Sequence, residues 1–143
     1  KKNKINTNLI NNAGKINSSM PIWVLNKIRN KIKLKKVIII GVAYKKNIDD
    51  IRESPAIDFI NILTKRRIQV DYFDPLVKIL KSRKLKKVYY SKKITNKSLN
   101  KYDCAIILTS HSSVDYKKIE KYSNLIFDTR NVFKKKSHKI IKL

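Results

Sequence analysis

The chain has 143 residues, 35 of them basic and 10 acidic, for a formal charge of +25 at pH 7. Apolar residues make up 42 %, enough for one packed core, which excludes disorder throughout. Two glycines exclude the G-x-G-x-x-G dinucleotide loop and the G-x-x-x-x-G-K-[ST] phosphate loop; one cysteine excludes a disulfide framework or a multi-cysteine zinc site.

Residues 5 to about 32 are predicted as helix, because Ile5, Leu9, Ala13, Ile16, Met20, Trp23 and Val24 recur at three- and four-residue steps. Gly14 and Pro21 predict a kink or break near Ser18 to Pro21, with Ser19 capping a restarted helix. Lys36 to Gly41 is a β-branched run ended by glycine, the pattern of a buried strand. A polar loop from Tyr44 to Glu53 follows. Ser54-Pro55 then starts a helix that carries Ile57, Ile60 and Leu63 on one face and runs to about Arg67.

Ile68 to Phe73 is a second strand, ended by Asp74-Pro75. Residues 76–86 are expected to be partly helical, Lys87 to Tyr90 a short strand, and Asn96 to Lys101 a helical turn. Asp103 to Thr109 reads as another buried strand, Tyr116 to Tyr122 as a short helix, and Asn124 to Asp128 as a last strand before a basic tail. This alternation predicts an α/β fold: a Rossmann-like parallel sheet with helices on both faces, preceded by the end of a long helix. A boundary is expected near Lys33, dividing the chain into 1–33 and 34–143.

Lys, Ile and Asn supply 66 of the 143 residues. All three have AT-rich codons, so the charge is read first as coding bias, spread along the chain. A basic nucleic-acid-binding protein remains the alternative. The longest apolar run, Val37 to Tyr44, is too short to span a bilayer, so no membrane role is expected. The chain begins with Lys1, which suggests a piece of a longer polypeptide.

Ligands of open parallel sheets bind beyond the carboxyl ends of the strands. Lys45, Arg52, His111 and Arg130 all follow strands, and cations converging there suit a diphosphate, with Tyr44 placed to stack on a base or sugar. The alternative is ordinary pairing: Arg52 with Asp49, Asp50 or Glu53, and Arg130 with Asp128. His111 has no nucleophile or carboxylate at a recognisable spacing, so a structural role is expected. Cys104, within an apolar strand, reads as an inert core residue.

Gly41 to Pro55, G-V-A-Y-K-K-N-I-D-D-I-R-E-S-P, closely resembles the start of the C-terminal domain of the nucleotide-sugar 6-dehydrogenases. Three more segments resemble that family in order: Val70 to Pro75, Asp103 to His111 with Asp115-Tyr116, and Phe127 to Asn131. The stretch Ala13 to Val24 is similar to the end of its long central helix. The resemblance implies that 1–33 is the end of the central dimerisation helix and 34–143 the UDP-sugar-binding domain. It implies substrate contacts at Tyr44, Lys45 and Arg130 and a cofactor contact from Arg52 towards NAD.

The family's NAD domain and catalytic cysteine segment have no counterpart in these residues, so no catalytic residue and no metal ligand is expected here. The intact enzyme would oxidise a sugar C6 hydroxyl to a carboxylate, as a cytoplasmic homodimer acting on a UDP-sugar. The D-D-x-R-E-S-P wording leans towards a UDP-N-acetylhexosamine. A noncatalytic UDP-sugar-binding remnant is a second alternative. The chain departs from the family at Ser110 (usually Asp), Val114 (commonly aromatic), Arg67 (near a usual glycine) and Tyr102 (in place of Ala).

Overall fold

The computed structural model describes residues 8–135 and 137–143. Helix α1 (Asn8–Arg29) leads into strand β1 (Lys36–Ile40), helix α2 (Pro55–Lys65) and strand β2 (Gln69–Phe73). A small antiparallel pair, β3 (Ile79–Leu80) and β4 (Tyr89–Tyr90), precedes the short helix α3 (Asn96–Leu99). Then come β5 (Cys104–Ile107), α4 (Tyr116–Tyr122), β6 (Ile126–Asp128) and β7 (Ile140–Lys142).

Five strands form one parallel sheet in the order β2-β1-β5-β6-β7. The chain winds outward from β1 to β2, then crosses back to β5 on the other side of β1. The gap between the β1 and β5 ends is therefore the topological switch point.

Alternation along β1 divides the core in two. Val37 and Ile39 face Val24, Leu25 and Ile28 of α1 and Phe59, Ile60 and Leu63 of α2. Ile38 and Ile40 face Leu99 of α3 and Ile119 of α4. Each such side chain contributes about 1.5–3 kcal/mol on burial. Helices thus cover both faces, as the strand–helix alternation predicts.

Helix α2 begins at Ser54, whose hydroxyl accepts from the Ala56 amide, with Pro55 at the first helical position. Its end is a Schellman motif: the Ile68 amide donates to the Leu63 carbonyl and the Arg67 amide to that of Thr64. Arg67 takes the left-handed residue of that motif, φ 60°.

Three expectations are corrected. Helix α1 runs through Pro21 as one element instead of breaking. Pro21 itself is buried, but the Asn17 carbonyl that it leaves without an N–H lies on the exposed turn before it, where water can take it. Ser18 and Ser19 donate back to the Gly14 and Ile16 carbonyls, so Ser19 caps nothing. Only the far end of α1 docks: Val24, Leu25 and Ile28 are buried, whereas Ile16, Met20 and Trp23 are exposed. Ile5 and the side chain of Leu9 lie outside the described residues.

Residues 76–86 contain no helix. Asp74 Oδ1 accepts from the Leu76 and Val77 amides, making a turn that delivers Ile79-Leu80 to Tyr89-Tyr90. The basic tail supplies β7, which pairs parallel with β6. A short Ile-Ile step among lysines carries too little periodicity to announce an edge strand.

Candidate functional site

Gly41 closes β1 with φ 78°, and a Cβ there would stand 2.1 Å from the Thr109 carbonyl oxygen. No side chain fits where the ends of β1 and β5 approach this closely. The amides of Val42 and Ala43 then donate to Asp74 Oδ2, at 2.7 and 3.2 Å. The Thr109 hydroxyl donates to the Ala43 carbonyl at 2.6 Å, and that of Ser54 to the Val42 carbonyl at 2.7 Å. The chain leaves the sheet along a path fixed from three sides.

This path carries Tyr44, Lys45 and Lys46 to face Thr109, Ser110 and Arg130 across a cleft of about 430 Å³. Three cations and no carboxylate line it. Arg130 is aimed by its own backbone: its amide donates to Asp128 Oδ1, and Nε donates to the Leu108 carbonyl. Asp128 is buried and its second oxygen accepts from the Phe133 amide, so it orders the loop rather than pairing with the Arg130 guanidinium. The terminal guanidinium nitrogens of Arg130 make no ion pair among the described residues.

Of the four cations expected to converge, the structure brings together Lys45 and Arg130, with Lys46 added. Arg52 lies apart. Its guanidinium forks onto Asp50, 2.9 Å away, and holds that carboxyl down at about 2. It lines a separate recess of about 250 Å³ beside Glu53, Lys81 and Lys84. The ordinary pairing considered for Arg52 is therefore the one formed.

His111 does not join the cations of the cleft either: it is fully buried and takes the structural role expected of it. Nδ1 accepts from the Asn47 amide at 3.0 Å, so Nε2 carries the ring proton and donates to Asp74 Oδ2 at 3.1 Å. Its carboxylate partner is thus Asp74, 37 residues away, not residue 110. The Asp74 carboxylate accepts five hydrogen bonds. The sequence marked it as the end of a strand and as part of the Val70 to Pro75 segment that resembles the family, and neither signal assigned it a role.

Cys104 is buried between β1 and β6, and burial pushes its thiol far up, which suppresses the thiolate a nucleophile needs. Among the described residues no three His, Cys, Asp or Glu side chains gather as metal ligands, and no helix is long and apolar enough to cross a membrane.

The sequence model for the UDP binding domain of the UDP-glucose/GDP-mannose dehydrogenase family matches residues 38–135. A UDP-N-acetyl-D-mannosamine dehydrogenase of Methanocaldococcus jannaschii is 33 % identical over 138 residues, which is 95 % of this chain and 29 % of that protein. A dehydrogenase of the same name from Campylobacter jejuni is 31 % identical over 107 residues, 72 % of this chain and 26 % of the relative. Among solved structures, the UDP-N-acetyl-mannosamine dehydrogenase Cap5O of Staphylococcus aureus superimposes with a TM-score of 0.71 at 28 % identity. It covers 99 % of this chain and 34 % of its own. The chain spans about three-tenths of the length of such relatives. With a doubly wound sheet, a cationic cleft at its switch point and this match, the chain belongs to the UDP-glucose/GDP-mannose dehydrogenase family, and residues 38–135 match its UDP binding domain.

Proposed function

We propose that the cleft between Tyr44-Lys45-Lys46 and Arg130 binds the diphosphate of a UDP-sugar. The observation that carries this is the cluster of three cations without a lining carboxylate at the switch point of the sheet. An isolated cluster of like charge on a rigid loop is costly unless an anion neutralises it. Arg130 offers a fork for phosphate oxygens, Lys45 and Lys46 offer point charges, and Tyr44 offers a half-exposed ring to the base or sugar. The volume falls within the range of small-ligand sites.

In the whole protein this domain forms one part of an NAD-dependent, cytoplasmic dehydrogenase that oxidises the C6 hydroxyl of its sugar. The names of the relatives, UDP-N-acetyl-D-mannosamine dehydrogenase and NDP-N-acetyl-D-galactosaminuronic acid dehydrogenase, favour a UDP-N-acetylhexosamine. The exposed face of α1, with Ile16, Met20 and Trp23, is assigned to the homodimer contact.

NAD does not fit the first βα turn of this chain. The Val42 and Ala43 amides, which a dinucleotide fold would offer to a diphosphate, are already taken by Asp74. Arg52, on the domain surface, is the residue we assign to contact a cofactor held elsewhere.

Calorimetric titration with UDP-N-acetylglucosamine, UDP-glucose and UDP at physiological salt tests the cleft. Saturable binding is expected, weakened about tenfold to a hundredfold in Lys45→Ala and in Arg130→Ala. Binding undiminished by either substitution refutes the assignment. The chain alone, given a UDP-sugar and NAD, is expected to produce no NADH.

A further inference from the structure

Tyr44, Lys45 and Lys46 run between two anchor points, and the Tyr44 amide is itself tied to the Asp50 carbonyl at 2.7 Å. The near one is Val42-Ala43, fastened to Asp74. The far one is Asn47, whose amide is fastened to His111, which is itself bonded to the same Asp74 oxygen. One fully buried Asp–His pair therefore holds both ends of the three-residue segment that lines the cleft.

Asn47 does more than close this bracket. Its side-chain carbonyl accepts from the Ser112 amide at 2.8 Å, and its Nδ2 donates to the Ser112 hydroxyl at 3.1 Å. A single residue thus makes three hydrogen bonds from the loop after β1 to the loop after β5. Its backbone is left-handed, φ 61°, a conformation that asparagine tolerates better than most residues. Residue type, backbone angle and both amide partners agree on one geometry.

We propose that Asn47 is a positioning residue for nucleotide-diphosphate binding: it staples the Tyr44–Lys46 segment to the loop at Ser112, so that Lys45 is set before the ligand arrives. This rests on the reading of the cleft given above. The gain is preorganisation: a loop ordered beforehand does not lose its freedom on binding. Asn47 touches no ligand; it acts through Lys45.

Asn47→Gly is the informative variant. Glycine keeps the left-handed φ and the amide bond to His111 but deletes both bonds to Ser112. In the ligand-free 143-residue chain, backbone amide relaxation should show Lys45 and Lys46 loosening, with order parameters falling below about 0.6, while Val42, Ala43 and Tyr44, whose amides keep their acceptors, stay rigid. Unchanged order at Lys45 and Lys46 overturns the staple, whatever the ligand does.

In calorimetry with UDP, Asn47→Gly should weaken binding about tenfold, the scale expected for restoring freedom to a short segment. Combined with Lys45→Ala it should add little, because the residue acts through Lys45. Full additivity overturns the positioning role, as does wild-type affinity in Asn47→Gly. If wild type binds no UDP yet the variant loosens the segment, the reading of the cleft has failed and the staple has not. Urea midpoints of both single variants show whether either loss comes from unfolding.

Discussion

Asp74→Asn tests the buried pair most sharply, because it keeps the shape of the side chain while removing its charge and half of its accepting oxygens. The carboxylate accepts from four amides: Val42 and Ala43 on Oδ2, Leu76 and Val77 on Oδ1. A carboxamide has one acceptor oxygen. If that oxygen faces Leu76 and Val77, the new NH2 group confronts two amide N–H groups and His111. If it is turned over, Leu76 and Val77 are stranded instead. Either way two amides lose their acceptor. A stranded buried donor costs about 1–3 kcal/mol, so a loss of about 3 kcal/mol is expected. Urea unfolding followed by circular dichroism reads this directly. With a slope of about 2 kcal/mol per molar, the midpoint should fall by about 1.5 M. A midpoint within about 0.3 M of wild type would refute the reasoning, because the four amides would then have other partners.

Arg67→Gly should stabilise the fold by about 1 kcal/mol, raising Tm by about 3 °C in a thermal scan, because glycine removes the left-handed penalty at φ 60° and keeps the Schellman bonds. Alkali should destabilise: burial raises the Cys104 thiol and the Tyr72 and Tyr102 hydroxyls, and pushes Tyr116 up to about 12. The unfolded chain sheds these protons from about pH 8.5 upward while the native chain keeps them, so stability is full below that pH and falls above it. A urea midpoint that does not fall between about pH 8 and 11 would contradict this. The chain is expected to self-associate through the exposed face of α1, and Ile16→Lys with Trp23→Lys to leave a monodisperse monomer in light scattering with little change in Tm, since both side chains are exposed. Association that survives both changes would place the contact elsewhere.

Elements set by local chemistry were legible. β1 and β5 follow from β-branched runs, α2 from Ser54-Pro55, and the placement of Tyr44, Lys45 and Arg130 from their positions just past strand ends. What the sequence hid depends on long-range geometry. The bond from His111 to Asp74 spans 37 residues, and no spacing rule reaches that far. Arg52 and His111 also follow strands, yet one turned outward onto Asp50 and the other inward onto Asp74. Position in the chain fixes a residue at the sheet edge; the nearest carboxylate decides which way its cation or donor points. Pro21 misled because a missing N–H is costly only where water cannot replace it, and the Asn17 carbonyl that loses its donor lies on the exposed turn before the buried Pro21.

The same logic explains why a charge of +25 is a poor guide to the site. Cations lie along the whole surface, and exposed pairs such as Lys84 with Asp58 contribute little. Lys45 and Lys46 are set apart from lysines scattered on the surface by what holds their backbone. Gly41 lets β1 meet β5, Asp74 fastens the next two amides, and His111 with Asn47 fastens the far end. A lysine on a free surface pays side-chain and backbone entropy to grip a phosphate, whereas one on a fixed loop pays mainly for its side chain. Affinity for a diphosphate should therefore follow the integrity of this buried framework more closely than the number of lysines, and weak polyanion binding should follow the lysines and disappear with salt. The two kinds of binding share a charge and differ in the backbone beneath it.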